Sequence, residues 1–314
     1  MHAYDGCVLT RRARTLDQAA DDVKPSSPVA ARIASVHDLL ESTANQLRVA
    51  KRLAPRRGAS LGERFGRLDD RFVFVVGSPR SGTTFLARAI GSLSGFVDLG
   101  EVAPVKAVVP KLATLSPANA AARLRRILAL SRRVGLVGAV RPVEQTPELA
   151  HVIRAIPLAY PEARVVHIIR DGRDVACSLL EKPWLRTEQT SASADDAGVL
   201  YGSYARFWVE PERRAEFESA SDARRAGWVW RSYVTAARAA DVPLLELRYE
   251  QMAENPAAVA AALAGHVDAP IEPLARALEQ AHAGSVGRYR RDLTAEQLAD
   301  VEAEAGGLLR ELGY

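Results

Sequence analysis

Two stretches of this chain have residue types and spacing suited to holding anions. Residues 71–86 read Arg-Phe-Val-Phe-Val-Val-Gly-Ser-Pro-Arg-Ser-Gly-Thr-Thr-Phe-Leu. An apolar β-run, Phe72 to Val76, feeds a loop that opens at Gly77 and closes at Gly82, and a helical pattern follows through Phe85, Leu86, Ala89 and Ile90. The backbone N–H groups of such a loop and of the first helical turn have no partner inside the helix. They point at whatever anion sits there, and the helix dipole favours it. The loop is nearly a Walker A sequence, but Thr83 stands where the lysine belongs and the loop's cation is Arg80. A Walker A lysine reaches the β/γ-phosphates while the next hydroxyl holds Mg²⁺. The altered loop therefore argues for a nucleotide other than ATP with Mg²⁺, and against a small-molecule P-loop kinase.

The second stretch, 164–182, reads Arg-Val-Val-His-Ile-Ile-Arg-Asp-Gly-Arg-Asp-Val-Ala-Cys-Ser-Leu-Leu-Glu-Lys. Arg170 ends a strand pattern, Asp171-Gly172 makes a turn, and Ser178 lies two turns into the helix that follows. A guanidinium at that edge can fork onto a phosphate, and Ser178 can add a hydroxyl. Taken alone, Arg170 could equally be an ion-pair partner of Asp171 or Asp174. Two anion sites on neighbouring strand ends suit a nucleotide phosphorylated at two places.

These sites need a scaffold, and the pattern supplies one. Strands are expected at 72–76, 96–99, 137–144, 164–169 and 243–247. Helices are expected at 83–93, 103–113, 118–132, 147–159, 172–181, 222–240, 255–264, 270–282 and 294–312. Strands alternating with helices imply an α/β fold, a parallel β-sheet flanked by helices on both faces. Ligands on such sheets bind beyond the carboxyl ends of the strands. Residues 1–28 read as a mobile arm that could touch a partner or simply be solvated. Residues 29–314 read as one domain, with an N-terminal helix at 29–53. The stretch 183–221, rich in breakers and then in aromatics, breaks the rhythm. It is either a lid or acceptor pocket on the substrate side, or a small satellite core.

Bulk properties narrow the options. With 314 residues, 48% apolar and 25% charged, the chain can build a core. A net charge of +4 fits an anionic ligand but not a nucleic-acid binder. Two cysteines and six scattered histidines give neither a disulfide framework nor a metal-ligand spacing, so no metal is expected. No apolar run approaches the ~20 residues of a transmembrane segment and no signal-peptide plan is present, so the expected location is the cytoplasm.

In its motifs and their order, the chain from about residue 71 onward resembles the sulfotransferases that use 3′-phosphoadenosine 5′-phosphosulfate (PAPS), the P-loop sulfotransferase family. Besides Pro79-Arg80-Ser81-Gly82-Thr83-Thr84 and Arg170-Asp171-Gly172-Arg173-Asp174, several segments carry the likeness. They are Val143 to Pro147, Tyr160 to Arg164, Leu247 to Met252 with Asn255-Pro256, Ser285 to Arg290, and Leu312 to Tyr314. The arginine-type loop and the Gly100-Glu101 pair are closer to the bacterial and tyrosylprotein types than to the cytosolic animal type.

The resemblance implies a transfer of the sulfuryl group from PAPS to an acceptor hydroxyl or amine, leaving adenosine 3′,5′-bisphosphate (PAP). It implies that Arg80, Ser81, Gly82, Thr83 and Thr84 hold the 5′-phosphosulfate. Arg170 and Ser178 hold the 3′-phosphate, with Ser285, Gly287 and Arg288 closing over it. Tyr249 lies near the adenosine, and Lys182 can add charge. Glu101 is the expected base, its alternative being a helix N-cap or solvated carboxylate, and His151 is the reserve base. Arg80 and the helix N-terminus stabilise the leaving group.

One departure stands out. Gln145 occupies the position of the family's sulfuryl-stabilising lysine, and an amide brings no charge; Arg141 and Lys106 are the cations that could replace it. A non-catalytic nucleotide-binding module is the alternative function. The acceptor is a small molecule, natural product or glycolipid of unread identity, and the oligomeric state is open. The aromatics Trp184, Tyr201, Tyr204, Phe207, Trp208, Trp228 and Trp230 would suit an apolar or phenolic acceptor. Arg213, Arg214, Arg224 and Arg225 would suit an acidic one.

Overall fold

The computed structural model describes residues 69–134, 140–182, 185 and 206–314. The expected arm and the helix at 29–53 lie outside these residues, as does most of 183–205. Among the described residues, five strands form one parallel sheet: β1 (Val73–Val76), β2 (Phe96–Gly100), β3 (Arg141–Glu144), β4 (Arg164–Ile169) and β5 (Leu245–Arg248). Their spatial order is β2-β3-β1-β4-β5. Val73 lies beside Arg164 and Val76 beside His167, so β1 and β4 end side by side. The chain runs from β1 out to β2 and later crosses to β4 on β1's other flank, which makes the carboxyl end of β1 a point where strand order reverses.

The helices, in chain order, are α1 (Thr83–Gly91), α2 (Ala103–Leu112), α3 (Pro117–Val134), α4 (Ala155–Ala159), α5 (Gly172–Leu180), α6 (Arg214–Ser219), α7 (Asp222–Arg238), α8 (Tyr249–Glu254), α9 (Pro256–Val267), α10 (Ile271–Leu278), α11 (Tyr289–Asp292) and α12 (Ala295–Glu311). Strand side chains alternate between the two faces. Phe72, Phe74 and Val76 join one apolar cluster with residues of α2, α3, α5, α7 and α12. Val73 and Val75 join a second with residues of α1, α9 and α10. Burial on both faces is why the strands read as continuous apolar runs rather than alternating ones.

The single helix expected over 147–159 is instead a 3₁₀ turn, Pro147–Val152, followed by α4. A continuous α-helix would require an N–H at Pro157, which has none, and would drive its ring into the preceding turn. Trp228 and Trp230, grouped by sequence with acceptor-side aromatics, are wholly buried core residues of α7. Trp230 lies over Gly172, where a Cβ would come within 2.6 Å of the indole, and its Nε1 donates to Arg170 O at 2.9 Å. Of the arginines of 213–225, Arg214 is exposed and the other three are used internally. Arg213 and Arg224 pair with Glu216 and Glu304, and Arg225 donates to the carbonyls of Leu185, Phe217 and Glu218. Among the described residues, no helix is long and apolar enough to cross a membrane.

Candidate active site

The glycine loop can form only because residue 77 has no side chain. A Cβ on Gly77 would meet Ile168 O of the neighbouring strand at 2.4 Å. Gly82 is the N-cap of α1 with φ of 98°, in the left-handed region that glycine tolerates. A Cβ there would lie 2.7 Å from the Tyr249 ring, so the glycine lets that ring lie against the loop. Arg80 itself adopts φ of 71°, which is uncommon for a residue with a side chain. α1 has no side-chain cap, so its first N–H groups face the loop's concavity.

β1 and β4 bring the two stretches together. Arg80 Nε donates to Ser178 Oγ at 2.8 Å, and Arg170 Nη1 donates to Arg80 O at 3.3 Å. Arg170 is 6% exposed; its Nη2 donates to Ser285 O, and its guanidinium lies 4.8 Å over the Tyr249 ring. The carboxylates that competed for it are engaged elsewhere. Asp171 caps α5 and pairs with Arg173, while Asp174 accepts from the backbone N–H of Gly287 and Tyr289. Burial raises the Asp174 pKa, and those two N–H bonds oppose the rise. Two buried polar atoms in this cluster, Arg170 Nε and Ser81 Oγ, have no hydrogen-bond partner.

The segment 282–289 closes the cluster from the other side. Ser285 Oγ donates to Tyr249 Oη at 3.2 Å, and Gly287, at φ of 70°, is fixed by Asp174. The Arg288 guanidinium is committed to Glu181 and Asp292 rather than to Arg170's neighbourhood. Lys182 lies half-exposed in the turn after α5. The turn that aims Arg170 is braced from further along the chain. Asp171 N donates to Glu250 Oε1 at 2.8 Å, Tyr314 Oη to Glu250 Oε2 at 3.1 Å, and Arg248 Nη2 to Leu312 O.

The β2 side carries the carboxylates. A bulge at Asp98–Gly100, with Gly100 at φ of 70°, re-aims the chain immediately before Glu101. Val102, not Glu101, is the N-cap of α2, which removes the capping reading of Glu101. The Glu101 carboxylate lies 2.7 Å from Lys106 Nζ, and Glu148 Oε1 lies 3.7 Å from the same ammonium. Gln145 connects this group to the glycine loop: its N–H donates to Gly100 O at 3.4 Å, and its Oε1 accepts from Thr84 Oγ1 at 3.2 Å. His151 lies edge-on to Phe207 and Tyr233, and burial lowers its pKa to about 4, so its imidazole is neutral at pH 7. Arg141 sits at the start of β3, bonded to the carbonyls of Arg71, Val267 and Asp268, at the end of the sheet away from the loop.

Sequence reasoning missed Glu144. It is wholly buried and accepts from Thr146 N at 3.0 Å, from Thr146 Oγ1 and from Val102 N, tying the β3 exit to the start of α2. Burial raises its pKa from 4.5 to about 7, against the pull of those hydrogen bonds. The folded state therefore binds this proton more tightly than the unfolded chain does. The contribution is complete below pH 4.5 and is lost as pH rises to about 7. The loss amounts to roughly 3 kcal/mol at about 1.4 kcal/mol per pH unit. Denaturant unfolding at pH 5 and pH 7.5 checks this: Glu144→Gln flattens the decline by that order of magnitude.

Glycine loop, parallel sheet and the arginine on the adjoining strand together define a P-loop α/β protein. Residues 119–273, just under half of the chain, match the sulfotransferase family described as Sulfotransfer_3. That stretch spans Gln145, Arg170, Ser178 and Tyr249 and begins downstream of the glycine loop, so the two signs are separate. Over that stretch the chain is similar to the sulfotransferase family. No curated protein sequence matches it. Among solved structures it is similar to a sulfotransferase domain of the Synechococcus olefin synthase, with 12% identity over 82% of this chain and 99% of that one and a TM-score of 0.48. A sulfotransferase domain of the curacin biosynthetic pathway gives 14% identity over 79% and 99%, with a TM-score of 0.49. A Mycobacterium tuberculosis sulfotransferase gives 16% over 87% and 86%, with a TM-score of 0.46.

Proposed function

We propose that this protein transfers the sulfuryl group of PAPS to a hydroxyl or amine of a small-molecule acceptor. The observation that carries the reading is the meeting of Arg80, Arg170 and Ser178 at the paired ends of β1 and β4. A donor charged at both its 5′ and 3′ positions needs two cationic grips on one scaffold. The unpartnered Ser81 Oγ and Arg170 Nε are further atoms such a ligand would satisfy.

In this reading the loop N–H groups, Arg80, Ser81, Thr83 and Thr84 hold the phosphosulfate. Arg170 and Ser178 hold the 3′-phosphate, with Ser285 and Gly287 closing over it and Tyr249 beside the adenosine. Lys182 and Arg288 lie at the periphery. Glu101 takes the acceptor's proton as the acceptor oxygen or nitrogen attacks sulfur. The bond from sulfur to the 5′-phosphate oxygen breaks, and its electron pair leaves on the phosphate, stabilised by Arg80 and the α1 N-terminus. Positioning and fixed charge supply most of the acceleration. The buried free thiol of Cys177 suits a reducing compartment, and we place the reaction in the cytoplasm.

Isothermal titration tests the donor assignment. PAP binds at least about 100-fold more tightly than AMP, the 3′-phosphate contributing about 3 kcal/mol through charge-assisted hydrogen bonds. Equal affinities would exclude the assignment.

A further inference from the structure

We propose that Lys106 is a catalytic residue that supplies positive charge beside the transferring sulfuryl group, held in place by Glu148. The inference rests on the donor reading above. Sulfuryl transfer needs charge stabilisation at the group in flight, and Gln145, the residue hydrogen-bonded to the first turn of α1, is neutral.

Lys106 is a cation held by carboxylates of the two chain segments that meet at Gln145. Its ammonium lies 2.7 Å from Glu101 and 3.7 Å from Glu148. Glu101 directly follows Gly100, whose carbonyl receives the Gln145 N–H, and Glu148 lies three residues beyond Gln145. Ammonium, both carboxylates and Gln145 therefore share one corner of the sheet's carboxyl edge.

Two features set Lys106 apart from a surface ion pair. Its side chain is 13% exposed and that of Glu148 is 1% exposed, so solvent screens their charges weakly. Lys106 also sits in the first turn of α2, where the helix dipole disfavours a cation. Helix stability does not account for a lysine at this position; the two carboxylates do.

The charge arithmetic favours a catalytic use. Without Lys106, Glu101 and Glu148 would set two negative charges beside an anionic donor. As the acceptor's proton moves to Glu101, that carboxylate becomes neutral and no longer balances Lys106. The ammonium's field then falls on the sulfuryl oxygens as the S–O bond to phosphate breaks. The interaction is stronger in the transition state than before it, which is the condition for raising kcat.

Lys106→Gln tests this by equilibrium titration without acceptor and by initial rates. Affinity for PAPS, which carries the sulfuryl group, falls about tenfold while affinity for PAP changes less than about twofold; kcat falls about 100-fold with the acceptor KM nearly unchanged. Lys106→Arg restores part of the rate. Gln145→Lys in the Lys106→Gln background restores at least about tenfold by presenting an ammonium from the neighbouring position. Equal loss for PAPS and PAP, no loss for either, or no recovery by Gln145→Lys overturns the proposal. Failure of the unmutated protein to bind PAP would instead overturn the donor reading, and it is seen separately in the same titrations.

Discussion

Arg170→Ala lowers the affinity for PAP by about 100-fold and leaves that for AMP nearly unchanged. The difference is expected because AMP lacks the 3′-phosphate that the guanidinium would grip. Two charge-assisted hydrogen bonds at about 1.5 kcal/mol each give the magnitude. Arg170→Lys keeps the charge but not the planar fork, and recovers less than about tenfold of the loss. Titration calorimetry with both nucleotides reads the effect. Thermal unfolding separates it from the cost of losing the stack on Tyr249 and the bond to Ser285 O. Equal weakening of PAP and AMP would mean that Arg170 shapes the loop rather than recognising the ligand.

Glu101→Gln lowers kcat by about 1,000-fold, within the range for losing a positioned base, while PAP affinity holds within about twofold. The amide keeps the shape but cannot take a proton. His151 provides the comparison. Burial holds its pKa at about 4, so it is neutral at pH 7 and a poor match for a base working there. His151→Gln therefore costs much less than Glu101→Gln. The reverse order, measured with the same acceptor, would transfer the role to the histidine.

The scaffold was legible because parallel strands buried on both faces leave an unmistakable trace in sequence. Phe72 to Val76 and Val165 to Ile169 could hardly be anything else, and the structure places their ends together. The break at residue 153 was less visible, since Ala155 to Ala159 continues a helical pattern; only Pro157 hinted at it. The short helix α8 was hidden inside the Arg248-Tyr249-Glu250 motif, where residue identity spoke louder than periodicity. At the site, strand register determined what could be foreseen. Arg80 and Arg170 each end a strand or loop with a strong local signature. Glu144 and Glu148 acquire meaning only through contacts across the fold, between elements up to 42 residues apart, and those contacts are what separate Lys106 from Arg141. The direction of Arg288, toward Glu181 and Asp292, likewise depends on side chains 107 residues away and 4 residues away.

The brace behind the Asp171-Gly172 turn has a practical corollary. Tyr314, Leu312, Arg248 and Glu250 form a short buttress that ends on the peptide next to Arg170. Loss of the Leu312 and Tyr314 contacts would thus masquerade as a donor-binding defect, although neither residue belongs to the proposed donor grip. A Tyr314→Phe variant, which loses only the bond to Glu250, shows how far this buttress reaches into donor affinity.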